Sequence, residues 1–166
     1  MRTKLLSLFA ASLLLAACES TSTTTAGSAG SGAAASTAPA AAPRTGPVPG
    51  SQQDLVVNVG DRVFFDLDKS DLKPEARRTL ERQAAWLKQY GNVAVTIEGH
   101  CDERGTREYN LALGDRRAKA ASNYLVSLGI PASRIRTISY GKERPAVLGS
   151  NEAAWSQNRR GVTVVN

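Results

Sequence analysis

Histidine occurs once in this chain, at His100, and cysteine twice, at Cys18 and Cys101. A lone histidine leaves no basis for a histidine-rich metal centre, and no catalytic triad assembles around it with a serine or cysteine. Its neighbours do not rescue a metal site. Residues 100, 101 and 102 are consecutive on extended chain, so their side chains alternate in direction and do not converge. No run of five like charges occurs, and the formal charge of +6 is interspersed with acids from Glu75 to Arg160. That pattern gives no basic stripe for nucleic acid. No apolar run reaches the roughly 20 residues that a membrane-spanning helix needs. The sequence shows no succession of barrel strands either.

Large apolar residues are also nearly absent from Ser20 to Gln53, where Ala, Ser, Thr, Gly and Pro dominate and Arg44 is the only charge. Such a stretch buries too little surface to offset its chain entropy, so it reads as a disordered tether. As a flexible coil it spans about 30 Å, and about 110 Å when fully stretched. Ahead of it lies a leader. Arg2 and Lys4 are a positive start, and Leu5 to Ala16 is a short apolar core. This is an export signal covering residues 1–17, not a membrane span. Leu15-Ala16-Ala17-Cys18 resembles the bacterial lipobox, which implies cleavage before Cys18 and lipidation of that cysteine. Loss of Arg2 and Lys4 leaves the mature chain two charges lower, at +4. Several acyl chains anchor stably, since each buried methylene contributes about 0.8 kcal/mol. Glu19 follows Cys18. The aspartate that favours inner-membrane retention in enterobacterial lipoproteins is missing there, which points to the outer membrane with the head in the periplasm. With Cys18 so used, Cys101 has no disulfide partner.

The remaining residues, 54–166, carry the periodicity of one domain. Arg62 to Phe65 is a short apolar strand. Pro74 opens a helix whose Leu72, Ala76, Leu80, Ala84 and Leu87 keep helical spacing up to Gly91. Val93, Val95 and Ile97 alternate with polar residues in a second strand. A second helix runs from about Glu108 to Leu128, with Gly129 as its cap. Arg134 to Tyr140 and the segment around Val162 and Val164 are further strands. A helical turn at Glu152 to Trp155 separates them. Strands alternating with helices predict an α/β layer, an α+β sandwich in which a mixed sheet of about four strands is covered on one face by two main helices. Trp86 and Trp155 read as core or edge aromatics.

On a wheel of the second helix, Leu111, Ala118, Ala121, Leu125 and Leu128 form the core stripe. Asn110 and Arg117 share one flank of it, with Leu113 beside them. Arg116 falls on the far side, in water. Asp102 lies just past the second strand, where α/β folds build sites, and its loop leads into this helix. Asp102 and Arg117 therefore come within reach of one another. Two readings follow: a structural salt bridge, or a carboxylate and a guanidinium spaced to hold a zwitterion.

The order of several short motifs adds a resemblance. Phe64-Phe65-Asp66-Leu67-Asp68-Lys69-Ser70, Glu98-Gly99-His100-Cys101-Asp102-Glu103-Arg104-Gly105-Thr106, Tyr109-Asn110-Leu111-Ala112-Leu113-Gly114, Arg116-Arg117-Ala118, Ser139-Tyr140-Gly141, Pro145 to Gly149 and Asn158-Arg159-Arg160 occur in that sequence. Together they resemble the OmpA-like domains that form the heads of peptidoglycan-associated lipoproteins, with a βαβαβ fold. The resemblance implies a non-enzymatic module that binds peptidoglycan through the diaminopimelate of the stem peptide. Asp102 would meet the ammonium of that side arm and Arg117 its carboxylate. It also implies contributions from Phe65, Asp66, Arg104 and Thr106, with Asn110 and Leu113 sharing the flank of Arg117. Arg160 is implied as a buttress of the ligand loop. No cofactor and no metal is implied. The family's other partner is the Tol system, chiefly TolB, in envelope constriction at division. Small residues usually stand where Cys101 does, so Cys101 reads as a buried thiol.

The rival reading is a wall hydrolase. It needs paired carboxylates or an activated nucleophile. Glu98, Asp102 and Glu103 are the clustered candidates for that role, and Arg104 and Arg107 nearby favour their ionised forms. The lipidation reading is checked by fractionation: Cys18→Ala is expected to move the protein from the membrane pellet to the soluble periplasmic fraction.

Overall fold

The computed structural model describes residues 46–166. The leader, Cys18 and the tether up to residue 45 lie outside the described residues. A three-residue helix, α1 (Gln52–Asp54), runs into a π-helical turn over Leu55–Val59. Then follow β1 (Arg62–Phe64), α2 (Pro74–Gln89), β2 (Val95–His100), α3 (Arg107–Ser127), a 3-10 turn at Ala132–Arg134, β3 (Ile135–Gly141), α4 (Glu152–Asn158) and β4 (Arg160–Val165). The four strands form one mixed sheet in the order β1-β4-β2-β3. β4 is antiparallel to both β1 and β2, whereas β2 and β3 are parallel. The parallel pair requires a long crossover, and α3 supplies it.

The expected sheet and its two covering helices are present. Val95 and Ile97 of β2 turn into the core, and Thr96 and Glu98 turn away from it. The same cluster holds Leu80, Ala84 and Leu87 from α2 and Ala118, Ala121 and Leu125 from α3. Both helices therefore cover one face of the sheet. Each end of α3 is chemically fixed. Thr106 accepts a hydrogen bond from the Tyr109 N–H as N-cap. Gly129 takes φ +93, with Gly129 N–H to Val126 and Ile130 N–H to Leu125. That pair of bonds is a Schellman ending, which the glycine permits.

Two expectations shift. Leu111 and Leu128 are only half-buried, while Asn110, Leu113, Gly114 and Arg117 are buried instead. The buried stripe is rotated toward Arg117 because the N-terminal half of α3 packs on the site rather than on the apolar core. The ordered head also begins before Asp54. Ser51 caps α1, and the Gln52 amide bonds the backbone of β4 at Thr163 (3.3 Å) and Val165 (2.7 Å). Polar composition concealed this, since the docking is by hydrogen bonds and not by apolar burial. Asp54 reinforces it, accepting from Gly50 N–H, Asn58 and the Trp86 indole.

α3 sits against β2 through two glycines. A Cβ on Gly99 would lie 1.8 Å from the Gly114 carbonyl oxygen, and one on Gly114 would lie 2.3 Å from the Ser139 hydroxyl. Backbone cannot yield there as a flexible side chain would, so helix and strand would have to separate. Gly99→Ala is expected to lower stability in urea by about 2 kcal/mol or more. Gly91→Ala, where a Cβ meets nothing within 4 Å, is expected to change it by less than about 0.5 kcal/mol.

Candidate functional site

α3 drives Arg117 into the protein, where it is 0% exposed. Its guanidinium donates to three backbone carbonyls: Nε to Lys69 at 2.8 Å, Nη1 to His100 at 2.9 Å and Nη2 to Asp66 at 3.0 Å. The Phe65 ring lies beneath it, 5.3 Å from the guanidinium carbon. Among the described residues, no carboxylate forms an ion pair with Arg117. Burial pushes its pKa below the ordinary arginine value, although a guanidinium remains charged in a protein. The three carbonyls use three of its five N–H donors. A buried cation satisfied by dipoles alone is a costly arrangement, and an anion beside it would lower that cost.

Asp102 is 5% exposed, at the start of the loop between β2 and α3. It does not bond Arg117, so the structural salt bridge considered from sequence is absent. Oδ1 accepts from the backbone N–H and the Nε of Arg104, both at 3.2 Å. Oδ2 accepts from Arg104 Nη2 at 2.7 Å and Arg159 Nη1 at 3.3 Å. Burial alone would raise the Asp102 pKa, but these hydrogen bonds outweigh it and hold the carboxylate below its usual range. Arg159 is itself fixed, donating also to the Phe65 carbonyl and the Glu152 carboxylate.

A cavity of about 310 Å³ opens between these charges. Asp102, Arg104, Cys101 and Gly105 form one wall. Asn110, Leu113, Tyr109 and Arg117 of α3 form the floor and second wall, and Leu67 and Asp68 close the third. The Tyr109 hydroxyl donates to the Asp68 carboxylate across the rim. Asp68 has φ +60, so the loop after β1 is held in a left-handed bend there. The Asn110 amide donates to the Arg104 and Thr106 carbonyls, and Lys142 reaches over to the Glu103 and Gly105 carbonyls. Four carbonyls of the loop are thus stapled by two side chains.

The sequence-derived residues divide. Asp102, Arg104, Asn110, Leu113 and Arg117 line the cavity. Phe65 lies under Arg117, and Asp66 contributes its carbonyl while its carboxylate pairs with Lys73 at 2.5 Å. The acidic residue on the cavity wall is Asp68, two positions on. Thr106 is exposed and caps α3. Arg160 bonds the carbonyls of Asn158 and Arg144, holding the loop before α4 rather than Asp102. The arginine that buttresses Asp102 is its neighbour Arg159. Backbone pairing explains the difference: the Phe65 N–H bonds the Arg159 carbonyl, which sets Arg159 beside the end of β1. Arg116 is exposed, as expected from the wheel. Leu67, Asp68 and Tyr109 also line the cavity, and all three lie within the quoted motifs, where alternation and helical spacing gave them no distinguishing signal.

Cys101 and Asp102 both line the cavity, and His100 does not. The Cys101 thiol donates to the Asn110 carbonyl at 3.4 Å, and burial raises its pKa. His100 turns to the Tyr140 ring and to Glu98 Oε2, 3.5 Å from its Nε2. The parallel register between β2 and β3 slips between Gly99 and His100, where the chain leaves the sheet for the site.

The OmpA family pattern matches residues 64–159. The chain belongs to the OmpA family. Its relatives include the peptidoglycan-associated lipoproteins of Agrobacterium fabrum and Brucella melitensis. The first is 62% identical over 70% of this chain and 66% of its own length, the second 60% identical over 71% and 70%. The chain thus spans about two thirds of the length of these curated relatives. The crystal structure of the peptidoglycan-associated lipoprotein from Burkholderia pseudomallei superposes with a TM-score of 0.62 at 40% identity, over 64% of this chain and 90% of that one. The C-terminal domain of Helicobacter pylori MotB shares the fold, with a TM-score of 0.60 at 18% identity over 64% of this chain and 84% of that one.

His100 gives this OmpA-family head an internal pH dependence. Burial, then the Arg160 charge, lowers its pKa from 6.5 to about 4. The unfolded chain therefore takes up this proton before the folded one, and stability falls as pH drops from about 6.5 towards 4. His100→Phe is expected to flatten urea-unfolding stability across that window relative to the native protein.

Proposed function

We propose that the head is a non-catalytic binding module for peptidoglycan and that its cavity takes the side arm of diaminopimelate in the stem peptide. That group carries an ammonium and a carboxylate on one carbon. The carrying observation is Arg117: a fully buried cation, free of any carboxylate partner among the described residues, at the wall of a cavity that also holds Asp102. A ligand carboxylate beside Arg117 would make charge-assisted bonds with its remaining N–H groups. The ammonium would lie toward Asp102. Asp68 adds a second negative group to the cavity lining. The OmpA-family match and the peptidoglycan-associated lipoproteins among the relatives support this reading.

With lipids on Cys18, such a head would anchor the outer membrane to the cell wall from the periplasmic side. Exchange between the wall and the Tol system, chiefly TolB, would make that anchor regulated during envelope constriction. These parts rest on the family resemblance. The hydrolase alternative is disfavoured by the site's chemistry. A general acid needs a raised pKa, and the four donors on Asp102 hold its pKa low.

Co-sedimentation of the soluble head with cell-wall sacculi tests the proposal. Asp102→Ala and Arg117→Ala are expected to lose at least tenfold in binding, and Arg116→Ala to stay within twofold of the native protein. No soluble muropeptides should be released. Normal sacculus binding by a folded Arg117→Ala protein would contradict the site, and released fragments would contradict the non-catalytic reading.

A further inference from the structure

Asp102 has no vacant acceptor position. Four donors occupy its two oxygens, and three belong to Arg104. A ligand ammonium can reach this carboxylate only by displacing one of them. The two candidate arginines differ in how firmly they are held. Arg159 is 6% exposed and tied to three separate partners. The Arg104 side chain is 34% exposed, and all its side-chain hydrogen bonds go to Asp102. Arg104 also has a second surface to rest on. Its guanidinium carbon lies 4.0 Å from the centre of the Trp155 ring, and the indole N–H is fixed to Glu103 at 3.0 Å. A cation leaving Asp102 would therefore keep its stacking partner, with the Glu103 and Glu152 charges close by.

We propose that Arg104 is the resident occupant of the ammonium position, released from Asp102 when a zwitterionic ligand binds, and that this exchange sets the pocket's preference for such ligands. The proposal rests on the zwitterion reading above. One cation replaces another, so the charge facing Asp102 is conserved through the exchange. A ligand with a carboxylate alone has nothing to exchange. It meets Arg117 and leaves the Arg104–Asp102 pair in place. The resident arginine thus tempers the affinity for zwitterions and does not oppose simple carboxylates. This reverses the usual sign of an arginine in an anion-binding cavity. Its removal should strengthen binding of one ligand class and not of the other.

The test uses the whole mature chain, made with Cys18→Ala so that it stays soluble, and two stem tripeptides. One ends in meso-diaminopimelate. The other ends in 2-aminopimelate, which keeps the side-arm carboxylate and lacks its ammonium. In calorimetric titrations, Arg104→Ala and Arg104→Gln are expected to bind the diaminopimelate peptide at least threefold more tightly than the native protein. Both should bind the 2-aminopimelate peptide no more tightly than the native protein does. The Trp155 emission of the native protein should change with the first peptide and not with the second, and Trp155→Phe should abolish the change. Unaltered or weaker binding of the diaminopimelate peptide by both variants would overturn the exchange while leaving the zwitterion reading intact. Equal tightening toward both peptides would overturn it too. Absence of binding by the native protein would overturn both ideas together.

Discussion

The head is organised around a buried guanidinium. Arg117 draws three carbonyls, from Asp66, Lys69 and His100, onto one plane. These belong to the loop after β1 and the end of β2, and the arginine belongs to α3. One side chain therefore joins three segments far apart in sequence. Hydrogen bonds from a charged donor are about twice as strong as neutral ones, which offsets part of the burial cost. The remaining cost is what the proposed ligand carboxylate would relieve. An interior cation held by dipoles and facing a cavity is best satisfied by an anion from outside.

The same chemistry is used four times with different outcomes. Arg134 reaches the carbonyls of Leu87, Tyr90 and Val93, and closes the far end of the sheet. Arg159 combines a carbonyl with two carboxylates and becomes a fixed strut. Arg160 bonds only carbonyls and secures the loop before α4. Arg117 alone of these lines the cavity. Burial does not by itself single out Arg117, since Arg159 and Arg160 are buried too. What separates them is whether the guanidinium has somewhere left to donate.

Much of the architecture was legible in residue order. The alternation of Val95 and Ile97 with polar neighbours set the face of β2, and Pro74 and Gly129 marked helix ends for steric reasons that act locally. The wheel separated Arg117 from Arg116 because helical geometry is rigid. What was not legible depends on pairing between distant segments. Arg159 and Arg160 are adjacent, and only the Phe65–Arg159 backbone bond decides which one faces Asp102. Asp68 was obscured by Asp66 for the same reason, since the bend at Asp68 depends on contacts the loop makes elsewhere. The π-helical turn at Leu55–Val59 and the docking of Gln52 on β4 carry no periodic signal at all.

The proposed binding requires that Arg117 select its ligand by a carboxylate. Calorimetry with two stem peptides, one ending in diaminopimelate and one in lysine, addresses it directly. Lysine keeps the side-arm ammonium and removes only the carboxylate. At least tenfold weaker binding of the lysine peptide is the expected outcome. Equal affinity for the two would show that the buried guanidinium is purely structural and that recognition lies elsewhere.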